Sequence, residues 1–343
     1  MSRCVQLAKN GLGTTYPNPL VGSVIVYNNK VIGEGWHYQA GMPHAEVNAI
    51  SSAKDKEQLQ KATIYVSLEP CSHFGKTPPC ADLIIASGIK KVVIGSTDPN
   101  PKVAGRGIQK LLQAGCDVVV GVLETECDEL NKRFFTFHKK KRPYILLKWA
   151  ETADGFIAPE SSERNNKIEP VWITNTYSRQ IAHKLRAEEQ GIVVGTQTVL
   201  DDNPSLTTRD WYGSNPVRVV LDRNLKISKE ASVLNDASKT IIVTEKEATN
   251  TATHFYERCD FSENLTQQIC NIAHKHELQS IIIEGGAKTL QTFIDANLWD
   301  EAFVFKGKAI FGKGVKAPVL SAVIHSEENI REDVLQYFKN NPL

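Results

Sequence analysis

Pro43-His44-Ala45-Glu46, then Ala62-Thr63-Ile64-Tyr65-Val66-Ser67 running into Leu68-Glu69-Pro70-Cys71, then Pro78-Pro79-Cys80-Ala81, decide how the first half of this 343-residue chain folds. Ala62–Ser67 is a short β-branched apolar run, the pattern of a buried strand. It passes at once into a loop carrying Cys71, and a helical pattern follows over Ala81–Ser87. A helix is expected to begin near His44 and to run through Ala53. Strand, loop and helix alternate, which predicts a layered α/β sheet. One imidazole and two thiolates fall at the ends of these elements.

That donor set suits a soft, borderline metal such as Zn²⁺. Three protein ligands (His44, Cys71 and Cys80) leave the fourth tetrahedral corner open, which marks a catalytic site and not a structural one. Glu46, two residues past His44, is the carboxylate a hydrolytic site needs to move protons without binding the metal. On a helix the two side chains diverge by about 200°, so imidazole and carboxylate approach a bound water from different sides. Cys80, at a helix start, gains from the dipole that stabilises thiolates there. The order H-x-E, P-C, C is the signature of zinc-dependent base deaminases. The bland rival is a closed structural zinc site, with His73 as its fourth ligand.

Working outward, Leu20–Tyr27 and Val31–Glu34 read as a hairpin about Asn28-Asn29. Lys91–Gly95 and Asp117–Val122 read as strands, and Ile108–Ala114 as a helix. Lys139-Lys140-Lys141-Arg142 cannot pack in a core and reads as a solvated linker more readily than as a nucleic-acid patch. It divides the chain into domains at 1–142 and 143–343. Beyond it, Tyr144–Ala150, Gly191–Gly195, Val217–Asp222, Thr240–Thr244 and Ser280–Glu284 are β-rich runs. A helix capped by Thr174 or Asn175 is expected to reach about Arg186, and another covers Ala287–Ile294. No repeat links the halves, so two different α/β domains are predicted.

Composition bounds the function. Hydrophobic residues make up 41% and charged residues 23%, as in a globular chain, and the net charge of +1 gives no strong field for nucleic acid. The first 142 residues hold 18 basic against 12 acidic side chains, an excess that would suit a phosphorylated small substrate. Seven irregularly spaced cysteines read as reduced thiols and not as a disulfide framework. No apolar run suggests a leader peptide or a membrane span, so a cytoplasmic protein without membrane partners is expected.

The chain resembles the bifunctional riboflavin biosynthesis deaminase/reductases. The resemblance rests on Pro17-Asn18-Pro19-Leu20-Val21-Gly22, Gly33-Glu34-Gly35-Trp36-His37, the His44 and Cys71 motifs, and Asp98-Pro99-Asn100-Pro101-Lys102-Val103-Ala104-Gly105-Arg106-Gly107. Eight residues separate Cys71 and Cys80, including Gly75-Lys76-Thr77-Pro78-Pro79, against two in nucleic-acid deaminases. The resemblance implies a cytidine-deaminase-like first domain with one Zn²⁺. It also implies a phosphorylated aminopyrimidine substrate, 2,5-diamino-6-ribosylamino-4(3H)-pyrimidinone 5′-phosphate, with Glu46 as proton carrier. Asn18, His37, Lys76, Thr77, Asp98 and Asn100 are its implied substrate contacts.

In the second half the resemblance is carried by Leu147-Lys148, Trp172-Ile173-Thr174, Leu185-Arg186-Ala187, the run from Gly195 to Arg209, Pro216–Asp222 and Glu284-Gly285-Gly286. It is read to about residue 314. It implies a dihydrofolate-reductase-like α/β domain in which NADPH reduces the ribosyl group to ribityl. Lys148, at a strand end near the Asp154-Gly155 turn, is read from its position as the proton donor or else as a core-edge lysine bonded to backbone. Pro170, Arg186, Leu206, Arg209 and Glu284 are implied for the substrate, with Arg186 and Arg209 as a phosphate clamp. Glu151, Trp172, Thr198, Asp202, Gly285, Gly286, Ala287, Lys288, Thr289 and Leu290 are implied for the cofactor. Thr196 offers a further hydroxyl. No G-x-G-x-x-G occurs there, so a Rossmann reading lacks support. A nucleobase or nucleic-acid deaminase with an unrelated appendage is the alternative, and a homo-oligomer is compatible with either.

Overall fold

The hairpin begins with two asparagines. Asn28 (φ 48°) and Asn29 (φ 59°) both lie in the left-handed region, the geometry of a type I′ turn. They join β1 (Gly22–Tyr27) to β2 (Lys30–Trp36). This is a computed structural model that describes all residues except 73, 75–77, 101–103, 165–167 and 341–343. It divides into two compact units, Met1–Lys141 and Arg142–Leu343.

The first unit continues through α1 (Ser2–Ala8), α2 (Ala45–Ser52), β3 (Thr63–Leu68), α3 (Cys80–Ala86), β4 (Lys91–Ser96), α4 (Arg106–Gln113), β5 (Asp117–Val120), α5 (Glu124–Leu130) and α6 (Lys132–Lys140). Its sheet has the order β2-β1-β3-β4-β5; β1 is antiparallel to β2 and β3, while β3, β4 and β5 run parallel. Ile25, Ile64, Val66 and Ile94 from the sheet pack on Ala49, Ile50, Ala81 and Ile84 from the helices. Glycine lets α2 approach closely. A Cβ at Gly33 would meet the Ala49 carbonyl at 2.4 Å, and one at Gly35 the Asn48 Cβ at 2.5 Å. That contact fixes the depth at which α2 presents its first turn.

The basic run is not a linker throughout. Lys139 and Lys140 form the last turn of α6, where cations face the negative end of the helix dipole. Arg142 belongs to the second unit, because its guanidinium grips Asp300 with two bonds of 2.6 and 2.8 Å.

The second unit contains β6 (Tyr144–Glu151), β7 (Phe156–Ala158), α7 (Thr176–Glu188), β8 (Gly191–Gly195), α8 (Thr196–Asp202), β9 (Val217–Leu221), β10 (Thr240–Thr244), β11 (His254–Arg258) and α9 (Leu265–Lys275). It ends with β12 (Ser280–Ile283), α10 (Ala287–Asp295), β13 (Glu301–Lys306), β14 (Val315–Lys316), β15 (Ile324–Ile330) and β16 (Asp333–Lys339). Its nine-stranded sheet runs β11-β10-β9-β8-β12-β6-β13-β16-β15. Strands β11 through β13 in that order are parallel, and β16 and β15 add on antiparallel. Parallel strands covered on both faces need unbroken apolar runs, which Ser280-Ile281-Ile282-Ile283 and Gly191-Ile192-Val193-Val194 supply.

Asn175 caps α7, accepting from the N–H groups of Tyr177 and Ser178. Helix α8 was not apparent in the sequence, since its polar residues lack a clear apolar stripe. The β15–β16 hairpin was also unread: Ile324–Asn329 is exposed throughout and shows no buried alternation. Among the described residues no helix is long and apolar enough to cross a membrane, and all seven cysteines are unpaired thiols.

Candidate active sites

In the first unit the three expected metal ligands converge, although 27 residues separate His44 from Cys71 and 36 separate it from Cys80. His44 is not helical. It is the N-cap of α2 with extended backbone (φ −72°, ψ 167°), while Glu46 sits in the first turn. The separation of about 200° on an ideal helix therefore does not apply to this pair. Cys71 lies in the loop after β3, and Cys80 opens α3.

His44 Nδ1 is 3.6 Å from Cys71 Sγ and 3.3 Å from Cys80 Sγ. Ligands at roughly 2.0 and 2.3 Å from a tetrahedral zinc lie about 3.6 Å apart, so the spacing fits. The Cys80 N–H donates to Cys71 Sγ at 3.3 Å. The Cys71 thiol is driven down to about 4, first by the Cys80 side chain and then, against burial, by His44 and that backbone N–H. Cys80 moves the opposite way, because one proton is shared between the two sulfurs.

Glu46 is 2% exposed, and its Oε2 is buried with no hydrogen-bond partner among the described residues. A buried carboxylate oxygen of that kind needs an outside partner. Burial, with the Cys71 charge adding, raises its carboxyl to about 7. A proton carrier works best near that value.

Asn18 stands beside this centre. Its Nδ2 donates to His37 Nε2 at 3.0 Å, and His37 Nδ1 donates to the Pro43 carbonyl at 3.1 Å. Since a carbonyl can only accept, His37 is the neutral Nδ1–H tautomer. It is 2% exposed and burial pushes its pKa down. Both ring nitrogens are therefore committed, and His37 orients Asn18 in place of the substrate contact expected of it. Asp98 is buried, accepts from the Asn100 N–H at 2.7 Å, and has its carboxyl raised to about 6 chiefly by burial. Lys76, Thr77 and the rival ligand His73 lie outside the described residues.

In the second unit a cavity of about 510 Å³ opens at the carboxyl ends of β6, β8 and β12, where ligands settle in open parallel sheets. It is lined by Lys148, Pro170, Trp172, Arg186, Thr198, Asp202, Leu206, Arg209 and Glu284, all named from the sequence. Gly286, Ala287, Lys288 and Leu290 line it too, at the start of α10. Gly286 is left-handed (φ 65°), so the N-terminal N–H groups of α10 meet the cavity.

Four expectations are not met. Gly285 does not line the cavity: a Cβ there would lie 2.4 Å from Val194 Cα, so the residue serves close packing on β8. Thr289 points at Gly195. Glu151 is not among the lining residues; it bonds the Trp149 indole N–H at 2.8 Å and Lys306 at 3.3 Å. Thr196 gives its hydroxyl to the Leu221 carbonyl at 2.6 Å.

Arg186 faces the cavity with its fork already occupied. Nε and Nη2 bind Glu284 at 3.0 and 2.6 Å. Glu284 also lies 3.8 Å from Lys148 Nζ. Burial pushes the Glu284 carboxyl up, yet Arg186 and Lys148 together bring it down to about 2. Burial, with Arg186 adding, lowers the pKa of Lys148. Of the expected clamp, Arg209 is the exposed member, its Nη1 held by Ser205 and Thr207 hydroxyls at 2.5 and 3.1 Å.

Among the cavity residues that sequence reasoning missed are three titratable side chains with defined partners. His183 Nδ1 accepts the Arg209 N–H at 3.0 Å, and burial lowers its pKa to about 4, so it stays neutral. Arg164 binds Asp202 at 2.8 Å. Arg179 stacks on Trp172 at 4.9 Å. The i, i+4, i+7 spacing of Arg179, His183 and Arg186 on α7 was the available signal.

Comparison with known proteins agrees on both halves. Residues 1–96 match the cytidine and deoxycytidylate deaminase zinc-binding region, and residues 143–331 match the RibD C-terminal domain. The second match carries the similarity past residue 314, where the motifs alone had let it lapse. The riboflavin biosynthesis protein RibD of Aquifex aeolicus is 40% identical over 99% of this chain and 97% of its own length. Its Actinobacillus pleuropneumoniae counterpart is 39% identical over 100% and 95%. The crystal structure of a Thermotoga maritima diaminohydroxyphosphoribosylaminopyrimidine deaminase/5-amino-6-(5-phosphoribosylamino)uracil reductase superposes with a TM-score of 0.88 at 39% identity, covering 99% of this chain and 97% of that one. Acinetobacter baumannii RibD gives 0.87 at 30% identity, covering 98% and 97%.

Proposed function

Because this chain belongs to the RibD family of riboflavin biosynthesis proteins, we propose that its two sites act in succession on one phosphorylated pyrimidine. It is a bifunctional enzyme, a zinc deaminase joined to an NADPH-dependent reductase. The observation that carries the residue assignment is the orphaned Glu46 Oε2 beside the His44, Cys71 and Cys80 triangle.

His44, Cys71 and Cys80 would hold the zinc, which when bound acidifies water so that hydroxide is available near neutral pH. Glu46 Oε2 takes the proton of the attacking water and delivers it to the ring nitrogen. With the C–O bond formed, the same carboxylate takes the proton of the new hydroxyl and passes it to the amine, so the C–N bond breaks as that hydroxyl becomes a carbonyl and ammonia leaves. Asn18, held by His37, reads the pyrimidine edge, and Asp98 and Asn100 contact the ribose phosphate arm.

In the second unit NADPH supplies the hydride that turns the ribosyl group into ribityl. The first turn of α10, with Gly286 and Lys288, holds cofactor phosphate, and Trp172 forms a wall of the cavity. Lys148 gives a proton to the ring oxygen as the C1′–O bond opens, and Glu284 keeps its ammonium charged between turnovers. Arg209 binds the substrate phosphate. The near-zero net charge favours no nucleic-acid substrate, and the unpaired thiols suit the cytoplasm.

Incubating the protein with zinc, NADPH and the diaminopyrimidine ribotide tests the whole reading. Ammonia should appear first, and the fall in NADPH absorbance should follow it. Chelating the zinc is expected to stop ammonia release while reduction of the already deaminated ribotide continues; loss of both would unseat the division of labour. Arg209→Ala should raise KM for the deaminated ribotide by roughly ten- to a hundredfold, the scale of one charge-assisted contact. NADPH affinity, measured by fluorescence titration, should barely move. The reverse pattern would reassign Arg209 to the cofactor.

A further inference from the structure

Helix α4 begins badly by its own sequence. Its N-cap is Gly105 (φ 75°), which has no side chain to accept a bond, and its first turn contains no acid. The exposed donors of a helix start require acceptors. They are supplied from 36 to 39 residues away by Glu69. Glu69 Oε1 accepts from Gly107 N at 2.9 Å and Ile108 N at 3.3 Å. Oε2 accepts from Gly105 N at 2.9 Å and Asp98 N at 3.3 Å. One carboxylate, 4% exposed, thus takes four backbone N–H groups.

Two features connect this carboxylate to the chemistry. It accepts from the backbone N–H of Asp98, whose own carboxylate holds the Asn100 N–H, and from that of Gly105. It also stands two residues before Cys71, and α4 is docked against that same loop: a Cβ on Gly107 would meet the Pro70 carbonyl at 2.0 Å. The metal-bearing loop and the segment of expected ribose-phosphate contacts are therefore tied through one side chain.

Resting on the deaminase reading above, we propose that Glu69 is a positioning residue of the deaminase, fixing Asp98 and Asn100 relative to the Cys71 loop so that the substrate's ribose phosphate arm is held in register with the reacting ring. It touches neither substrate nor metal. Its role is to hold the binding segment, so its loss appears in substrate binding and not in the chemical step.

Glu69→Gln keeps the shape, removes one acceptor and turns an amide donor against N–H groups. In the full-length protein it is expected to raise KM for the diaminopyrimidine ribotide about tenfold or more, the scale of one charge-assisted hydrogen bond. The kcat should stay near the parent value, with one zinc per chain retained and reduction of the deaminated ribotide unchanged. Glu69→Asp keeps two acceptors a methylene further off, and its KM is expected to fall between parent and Glu69→Gln. An unchanged KM in both variants overturns the proposal, as does a fall in kcat alone or loss of zinc, which would assign Glu69 to the ligand loop. If the parent releases no ammonia from the ribotide, it is the deaminase reading that has failed.

Discussion

Glu46→Gln is expected to cut ammonia release by roughly a hundred- to ten-thousandfold, the range that a positioned acid–base group contributes. The amide is isosteric and cannot carry the proton from water to ring nitrogen to leaving amine. Zinc should stay bound, because His44, Cys71 and Cys80 supply the ligand triangle without Glu46. The second unit should still oxidise NADPH when given the deaminated ribotide. Metal analysis together with separate ammonia and NADPH assays checks all three points. If zinc leaves with the activity, Glu46 is a ligand and the proton-carrier role is wrong. The substitution also removes an ionisable group from a dry environment, so folding stability should not suffer.

The second large effect concerns stability. Glu284 neutralises two buried cations, with bonds of 3.0 and 2.6 Å to Arg186 and an ion pair at 3.8 Å to Lys148. The side chains of Lys148, Arg186 and Glu284 are only 15%, 12% and 7% exposed. Removing the shared anion strands both cations, and breaking a buried pair in this way costs about 3–5 kcal/mol. Glu284→Gln should therefore lower the urea midpoint of the second unit, followed by tryptophan emission, while zinc binding in the first unit persists. An unchanged midpoint would mean that water reaches the trio freely.

The sign of the pH effect follows from the same carboxyl. It ionises near 2 in the fold and near about 4.3 in an unfolded chain. Its stabilisation is complete above the unfolded value and disappears as pH falls toward 2. The Glu284→Gln variant should lack that part of the acid dependence.

Much of the deaminase centre was legible in the sequence because metal chemistry restricts residue types. Imidazole, two thiolates and an unbound carboxylate in this order have few other uses, and each sits where a strand or helix ends. The reductase site was legible mainly as a set of lining residues. Several of the side chains expected there have partners far along the chain that the sequence does not show. Arg186 was read as a phosphate ligand, but Glu284, 98 residues away, holds its fork. In the first unit the ring nitrogens of His37, an expected substrate contact, bond Asn18 and the Pro43 carbonyl. Glu151 and Thr196 were likewise diverted to neighbours on other strands.

By itself the sequence determined the two α/β units and pointed to the three side chains, His44, Cys71 and Cys80, that converge in the fold. Local periodicity and ligand chemistry both act over short stretches of chain. Only the tertiary structure decided which polar groups face a cavity and which spend their hydrogen bonds on the protein. A buried donor or acceptor must find a partner, and that partner is chosen by the packing of distant strands and helices.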